Sequence, residues 1–318
     1  MEIFNLTLKQ MLMMFTLITV GFVLRKKNII PDGSDTAMAK LETYVFVPAL
    51  SISNQLTQCT VQSFKESYSL ILYGFFIALC AIGVAFVLSK PVAGKKSDDY
   101  IKNIYKYALT FGNYGFMGNF IVLGVWGEEF FYRYLMFTFG VSLLCYSWGV
   151  YTIIPKDKNA GLAASLKKGL LTLPLIGLVL GMILGLLGAK DYIPGFVLTA
   201  LDNAGKCQGP VAMLLVGVVI GGFDIKKLFN DKSVYVATFL RLILIPAVMM
   251  LILKAIGTSK EFMIITLIAF ATPLGLNTVV YPAAYGGDTK PGASMAIISH
   301  TLSVITIPLM YLLFVEVL

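Results

Sequence analysis

Apolar runs separated by short polar links fill this chain, and ten of them reach the roughly 20 residues a helix needs to cross a bilayer. They lie at about 4–24, 38–56, 68–89, 104–125, 130–154, 168–188, 196–221, 234–256, 261–285 and 292–316. Two runs are interrupted in the middle. The fourth contains Phe111-Gly112-Asn113-Tyr114-Gly115-Phe116-Met117-Gly118-Asn119, and the ninth contains Ala271-Thr272-Pro273-Leu274-Gly275-Leu276-Asn277 and then Tyr281-Pro282. A continuous helix in lipid satisfies its own backbone, so such clusters are costly at that depth unless the chain there lines a cavity. The second and seventh runs are diluted too, by Pro48, Ser51, Ser53, Asn54 and Gln55 in one and by Asp202, Asn203, Lys206, Gln208 and Pro210 in the other.

These irregularities recur in register. Pro48 and Pro210 are 162 residues apart, and Asn113 and Asn277 are 164 apart. Residues 1–155 and 165–318 therefore read as two five-span repeats. Because five is odd, the second enters the membrane from the opposite side, giving an inverted repeat of the kind that supports alternating access. The predicted fold class is an all-α polytopic membrane protein of ten transmembrane helices in two inverted repeats, with the fourth and ninth spans broken.

Composition agrees. The chain is 58% hydrophobic and 13% charged, against about 25% charged in soluble domains, and its mean hydropathy is +0.82. The net charge of +8 follows membrane orientation rather than nucleic acid. Seventeen of the 25 Lys and Arg fall in links after odd-numbered spans and six at the other side. The positive-inside rule then puts both termini outside the cytoplasm of a plasma membrane. The basic Arg25-Lys26-Lys27 cluster follows the first apolar run, the pattern of a retained span rather than a cleaved signal. Cys59, Cys80, Cys145 and Cys207 show no metal-ligand spacing. No phosphate-cradling loop, nucleophile elbow or zinc signature is present, so no enzyme activity, metal or cofactor is expected.

A broken helix exposes unpaired N–H groups on one half and carbonyls on the other, with a partial positive charge at each N-terminal end. An anion is favoured there. Asn113 and Asn277 each add an amide able to fill the backbone gap or bind a carboxylate; a glycine-rich packing kink without a ligand is the alternative. The candidate substrate-binding set is Asn113, Tyr114, Asn119, Asn277, Thr278, Lys206, Gln208 and Asn54. Gly112, Gly115, Pro273, Gly275, Pro48 and Pro210 are the candidate hinge positions, the two prolines each loosening a turn. Lys206 has three readings: it attracts a substrate carboxylate, pairs with Asp202 four residues earlier, or snorkels to the interface. His300, the single histidine, is either a proton relay or a hydrogen-bonded packing residue. Arg241 is expected to neutralise a partner such as Asp224 or to sit near the surface, and Glu42 to lie at headgroup level. The Gly177, Gly181, Gly185 stripe, with Gly217 and Gly221 as its counterpart, suits close helix packing inside the chain or in a homodimer. Trp126, Phe130, Phe131, Tyr132 and Tyr134 suit an interfacial belt.

The stretches Leu109–Gly118, Ala271–Asn277 with Tyr285-Gly286-Gly287-Asp288, and Tyr44–Leu50 resemble signatures of the auxin efflux carrier family, and the resemblance covers the chain in order and span count. It implies a scaffold of spans one, two, six and seven, a moving domain of the other six, and crossing spans four and nine beside a carboxylate substrate such as malonate or malate. Asn113 and Asn277 would be crossover residues. Where the family often has Ile-Pro after the last glycine of the first signature, this chain has Asn119-Phe120, which adds a polar group beside the crossing. The expected function is secondary transport of small organic anions by alternating access. A sodium-coupled symporter of the bile-acid-carrier type and a non-transporting ligand sensor are the alternatives. The expected partners are a small organic anion and the lipid bilayer, with a homodimer possible in principle and no nucleic acid.

Overall fold

A computed structural model of the chain describes residues 2–94, 97–153, 172–224, 231–275, 277–284, 288 and 290–317. Their regular structure is helical, with no strand among the described residues. Helix α1 (Glu2–Lys26) is followed by α2 (Ser34–Leu41), a π-helical turn (Glu42–Phe46) and α3 (Val47–Gln58), then by α4 (Val61–Ala93) and α5 (Asp99–Thr110). A π turn (Tyr114–Gly118) leads into α6 (Asn119–Leu144), and another (Cys145–Gly149) into α7 (Val150–Ile153). The second half holds α8 (Leu173–Leu186), α9 (Gly195–Gly221), α10 (Lys232–Phe239), a π turn (Leu240–Leu244), α11 (Ile245–Ala255), α12 (Lys260–Ala271), α13 (Asn277–Ala284), α14 (Lys290–Tyr311) and a terminal π turn (Leu312–Val317).

Among the described residues, six helical stretches are long and apolar enough to cross a membrane: Phe4–Lys26, Val61–Ala93, Tyr114–Ile153, Gly195–Gly221, Lys232–Ala255 and Lys290–Val317. The remaining predicted spans fall on shorter pieces. The ninth is split into α12 and α13, and the first half of the fourth is α5 alone. Leu173–Leu186 is apolar but short. The link expected between spans four and five narrows to one residue, Gly127, at φ 78° and ψ −172° inside α6. Glycine reaches that left-handed φ without a Cβ clash.

Helix starts follow local chemistry. Thr60 and Ser63 form a reciprocal capping box before α4. Asp98 accepts from the Ile101 N–H at the start of α5, and Ser259 from the Phe262 N–H at the start of α12. Each satisfies a donor that the first turn leaves open.

The closest packing joins α1 to α9, α3 to α8 and α9, and α4 to α5 and α6. The glycine stripe of α8 is used up within the chain. A Cβ on Gly177 would lie 2.9 Å from Pro48 Cα, on Gly181 2.9 Å from Gln55 Cβ, and on Gly185 2.5 Å from the Gln55 carbonyl oxygen. Gly217 and Gly221 meet α1 at Ile18 and Arg25 instead. Side chains such as Phe76, Val87, Ile183 and Ile305 point outward, as apolar groups can where lipid replaces water.

Two expectations are corrected here. The aromatic group after Trp126 is not a belt at the membrane surface: Phe131, Tyr132 and Tyr134 are buried, and Trp126 stacks on Phe130 with ring centroids 5.4 Å apart. The turn at Gly127 folds this segment back against the core. Glu42 is not at headgroup level either. It is fully buried, and neither carboxyl oxygen has a hydrogen-bond partner among the described residues. A π turn begins at this residue.

Candidate functional site

The two interrupted segments meet. α5 ends at Thr110, and Phe111 turns to extended backbone (φ −115°, ψ 122°). α12 ends at Ala271, and Thr272 does likewise (φ −65°, ψ 149°). Gly112 and Leu274 then form an isolated antiparallel bridge, in which the Asn113 N–H donates to the Pro273 carbonyl at 2.7 Å. Each break thus satisfies part of the other's free backbone, which is what buried main chain in lipid requires. Beyond the meeting point the chains become helical again. The Asn113 carbonyl accepts from the Met117 and Gly118 N–H groups, both at 3.0 Å, and the Gly275 carbonyl accepts from the Thr278 N–H at 3.2 Å and the Thr278 hydroxyl at 2.9 Å.

Four helix ends therefore converge, two of each sign. The C-terminal ends of α5 and α12 share one cation. Arg241 is fully buried. Its Nη1 donates to the Leu109 and Thr110 carbonyls at 3.3 and 3.1 Å, and its Nη2 to Ala269 at 3.5 Å. The guanidinium also lies 5.6 Å from the centre of the Phe270 ring. Two helix C-termini carry about one negative charge between them, so a single arginine neutralises both. Arg241 is therefore neither near the surface nor engaged with a carboxylate among the described ion pairs. A lone arginine in an apolar run names no partner when the partners are carbonyls more than a hundred residues away in one case.

The N-terminal ends, at Tyr114 and at Asn277, have no such counter-charge among the described residues. No side chain caps the turn that starts at Tyr114, among the described residues. A cavity of about 20 Å³ lies between these ends, lined by Gly112, Asn113, Tyr114, Gly115, Phe116, Tyr146, Gly275 and Asn277. That is room for about one water. None of the lining residues is acidic.

The polar side chains around the cavity are held from behind. Asn113 is buried, and its Nδ2 lies 3.1 Å from Nε2 of His300. The Asn277 Nδ2 donates to the Tyr107 hydroxyl at 2.8 Å, and Tyr107 is in turn 3.1 Å from Cys145 Sγ. The Tyr114 hydroxyl is 2.9 Å from the Ser142 hydroxyl, and the Tyr114 carbonyl accepts from the Tyr134 hydroxyl at 3.0 Å. Ser299, next to His300 on α14, accepts from the Leu274 N–H at 3.1 Å. Two consecutive residues of α14 thus tie down one break each. Ser299, Tyr107 and Tyr146 were not singled out from sequence. Each is an ordinary residue in an apolar run until the fold brings it to a break.

Of the expected set, Asn113, Tyr114, Asn277, Gly112, Gly115 and Gly275 line the cavity, and Pro273 and Thr278 sit directly on the second break. Asn119 is buried one turn beyond, its Oδ1 without a partner among the described residues. Gln208 of α9 reaches the first break, its Nε2 3.4 Å from the Phe116 carbonyl. Pro210 lies inside α9 close to it in sequence, while Pro48 packs on Gly177. Asn54 is elsewhere: its amide donates to the Glu128 carboxylate at 2.7 Å, at the Gly127 turn. Lys206 is also apart from the crossing. Its side chain is 70% exposed and pairs with Asp202 at 2.5 Å, which matches the second of its three readings. A larger cavity of about 200 Å³, lined by Ser53, Leu56, Thr57, Lys190, Leu198, Leu201 and Asp202, lies between α3 and α9 and contains neither break. No cluster of residues able to hold a metal ion occurs among the described residues.

Comparison with known proteins agrees with this architecture. A family model described as a membrane transport protein matches residues 6–165 and again 160–311. An uncharacterized transporter of Methanocaldococcus jannaschii is 25% identical over 304 residues, covering 94% of this chain and 96% of that protein.

Proposed function

Since the chain belongs to the membrane transport protein family, whose members are auxin efflux carrier-like, we propose that it is a secondary transporter of small organic anions, carboxylates above all, acting by alternating access at a plasma membrane. The observation that carries this reading is the charge balance at the crossing. Arg241 satisfies the two C-terminal helix ends, while the two N-terminal ends face a cavity with no acidic lining. Two such ends amount to about one positive charge, the complement of a single carboxylate. Asn113 and Asn277 supply amides beside it, and Gln208 and Asn119 stand next to it.

The family match in two segments that meet near residue 160 supports two repeats, 1–155 and 165–318, and the alternation of basic links supports their inverted orientation with both termini outside the cytoplasm. α1, α2 with α3, α8 and α9 would then be the scaffold, and the remaining helices the moving part. The cavity of about 20 Å³ is too small for a carboxylate, so binding requires the scaffold and the moving part to separate at the crossing. A rigid-body shift of one against the other would open the site to each side in turn. For each net negative charge carried across, the membrane potential contributes about 2.3 kcal/mol per 100 mV in the export direction.

The test is flux. Purified protein in liposomes, loaded with labelled malonate or malate, is expected to release the label faster when the interior is made negative, and protein-free liposomes are not. Stabilisation by these carboxylates with no flux under any gradient would instead identify a ligand sensor and end the transport reading.

A further inference from the structure

His300 is fully buried on α14 and has two defined neighbours. Its Nδ1 is 2.8 Å from the Ala296 carbonyl, and its Nε2 is 3.1 Å from Nδ2 of Asn113. A carbonyl accepts only, so Nδ1 must carry a hydrogen. An amide nitrogen donates only, so Nε2 must present its lone pair. The ring is therefore neutral, in a single tautomer, in this arrangement. The amide that fixes the tautomer belongs to Asn113, one of the residues lining the cavity between the breaks.

We propose that His300 is a proton-binding site coupled to the anion site, so that a proton and a carboxylate are taken up together. This rests on the anion reading given above. A proton arriving from water forms a bond to Nε2, which turns from acceptor to donor. Asn113 can keep the contact only by rotating its amide, placing Oδ1 toward the ring and its Nδ2 donors toward the cavity. There they meet the carboxylate, whose negative charge is the counterpart of the new imidazolium. Without a carboxylate, no acidic side chain among the described residues is bonded to the ring to balance its charge. The elements packed on α14 bring Arg241, already spent on carbonyls, and Tyr107, spent on Asn277 and Cys145. They also bring Tyr281 of α13, Glu261 of α12, paired with Arg133 at 2.7 Å, Glu316 of the terminal turn, and the exposed Lys9, Lys206 and Lys232. The described hydrogen bonds of the ring go to Asn113 and Ala296 alone.

The chain holds one histidine, so a single ring reports the result. Tag-free protein labelled with 15N-histidine in lipid nanodiscs is examined by NMR at pH 7.5, with thermal unfolding measured alongside. Without ligand the expected signal is a neutral ring protonated at Nδ1 and bare at Nε2. With saturating malonate or malate, both nitrogens are expected to become protonated. The affinity of the stabilising carboxylate should also rise by up to about tenfold per unit fall in pH, the limit for one linked proton, and His300→Gln should flatten that dependence. A ligand-free ring protonated at Nε2 instead overturns the proposal. So does a carboxylate that raises the unfolding temperature while the ring stays neutral, and in that case the anion reading survives. If no carboxylate raises the unfolding temperature, the anion reading falls and the coupling falls with it.

Discussion

At the contact of α1 with α9, Gly21 and Gly217 remove the side chains between two backbones. A Cβ on either would overlap a main-chain carbonyl of the other helix, at Leu214 and Ile18 respectively. At the breaks, glycines stand before polar side chains. A Cβ on Gly112 would collide with the Arg241 guanidinium and Thr272, and one on Gly118 with the Tyr134 hydroxyl. The same residue type thus serves two ends. In the first region it lets helices approach closely and leaves nothing for a ligand. In the second it clears room for a cation and hydroxyls that satisfy interrupted main chain. Glycine content alone does not tell a packing seam from a site; what the missing Cβ would have met does.

The largest effect should come from removing the cation on which the second region depends. Arg241→Met strips the donors from three buried carbonyls at two helix ends, at an expected cost on the order of 3–5 kcal/mol. Tryptophan-fluorescence melting in detergent should show the deepest drop of any single change considered. A wild-type melting temperature would mean that the four helix ends do not need it. Next, Gly217→Ala pushes against backbone that cannot yield, and about 2–3 kcal/mol of destabilisation is expected. The folded fraction should keep its carboxylate affinity, as measured by calorimetry. Gly112→Ala meets the Arg241 guanidinium and both the hydroxyl and the main-chain carbonyl of Thr272, so a similar cost of about 2–3 kcal/mol is expected. Here binding is lost as well: the carboxylate affinity of the folded fraction should fall by tenfold or more. If Gly217→Ala abolished binding and Gly112→Ala spared it, the contrast between seam and site would be wrong. The smallest effect belongs to Lys206→Ala. Its exposed pair with Asp202 is screened by solvent and contributes little to stability, and substrate affinity should not change.

Much of this layout was legible in the pattern of apolar and polar positions. The positions of the helices follow from the apolar runs, and the breaks at 111–113 and 272–275 follow from glycine, proline and asparagine clusters that no lipid-facing helix accommodates. Asn113, Asn277, Gly112, Gly115 and Gly275 were accessible for the same reason. Arg241 was visible as an oddity but not as a cap, because its partners are carbonyls of α5 and α12, and carbonyls carry no residue identity. Ser299 was silent, since a serine in an apolar run commonly bonds its own helix. The burial of Glu42 was not legible, because a place near the end of an apolar run does not say which side chains pack around it. Lys206 looked like a binding residue by its depth in the run, yet the helix face it occupies is an exposed one. The expected segments at 285–287 and the basic links at 156–168 and 226–227 lie outside the described residues.

The central claim is that the two N-terminal ends at the crossing hold a carboxylate beside the Asn113 amide. Thermal unfolding of purified protein against a panel of mono- and dicarboxylates, in parallel with Asn113→Ala, tests it directly. A ligand at a hundred times its Kd stabilises by about 2.7 kcal/mol, so at least one carboxylate should raise the wild-type melting temperature by several degrees and leave the variant unmoved. Equal stabilisation of both proteins, or no stabilisation of the wild type by any carboxylate, would contradict the claim.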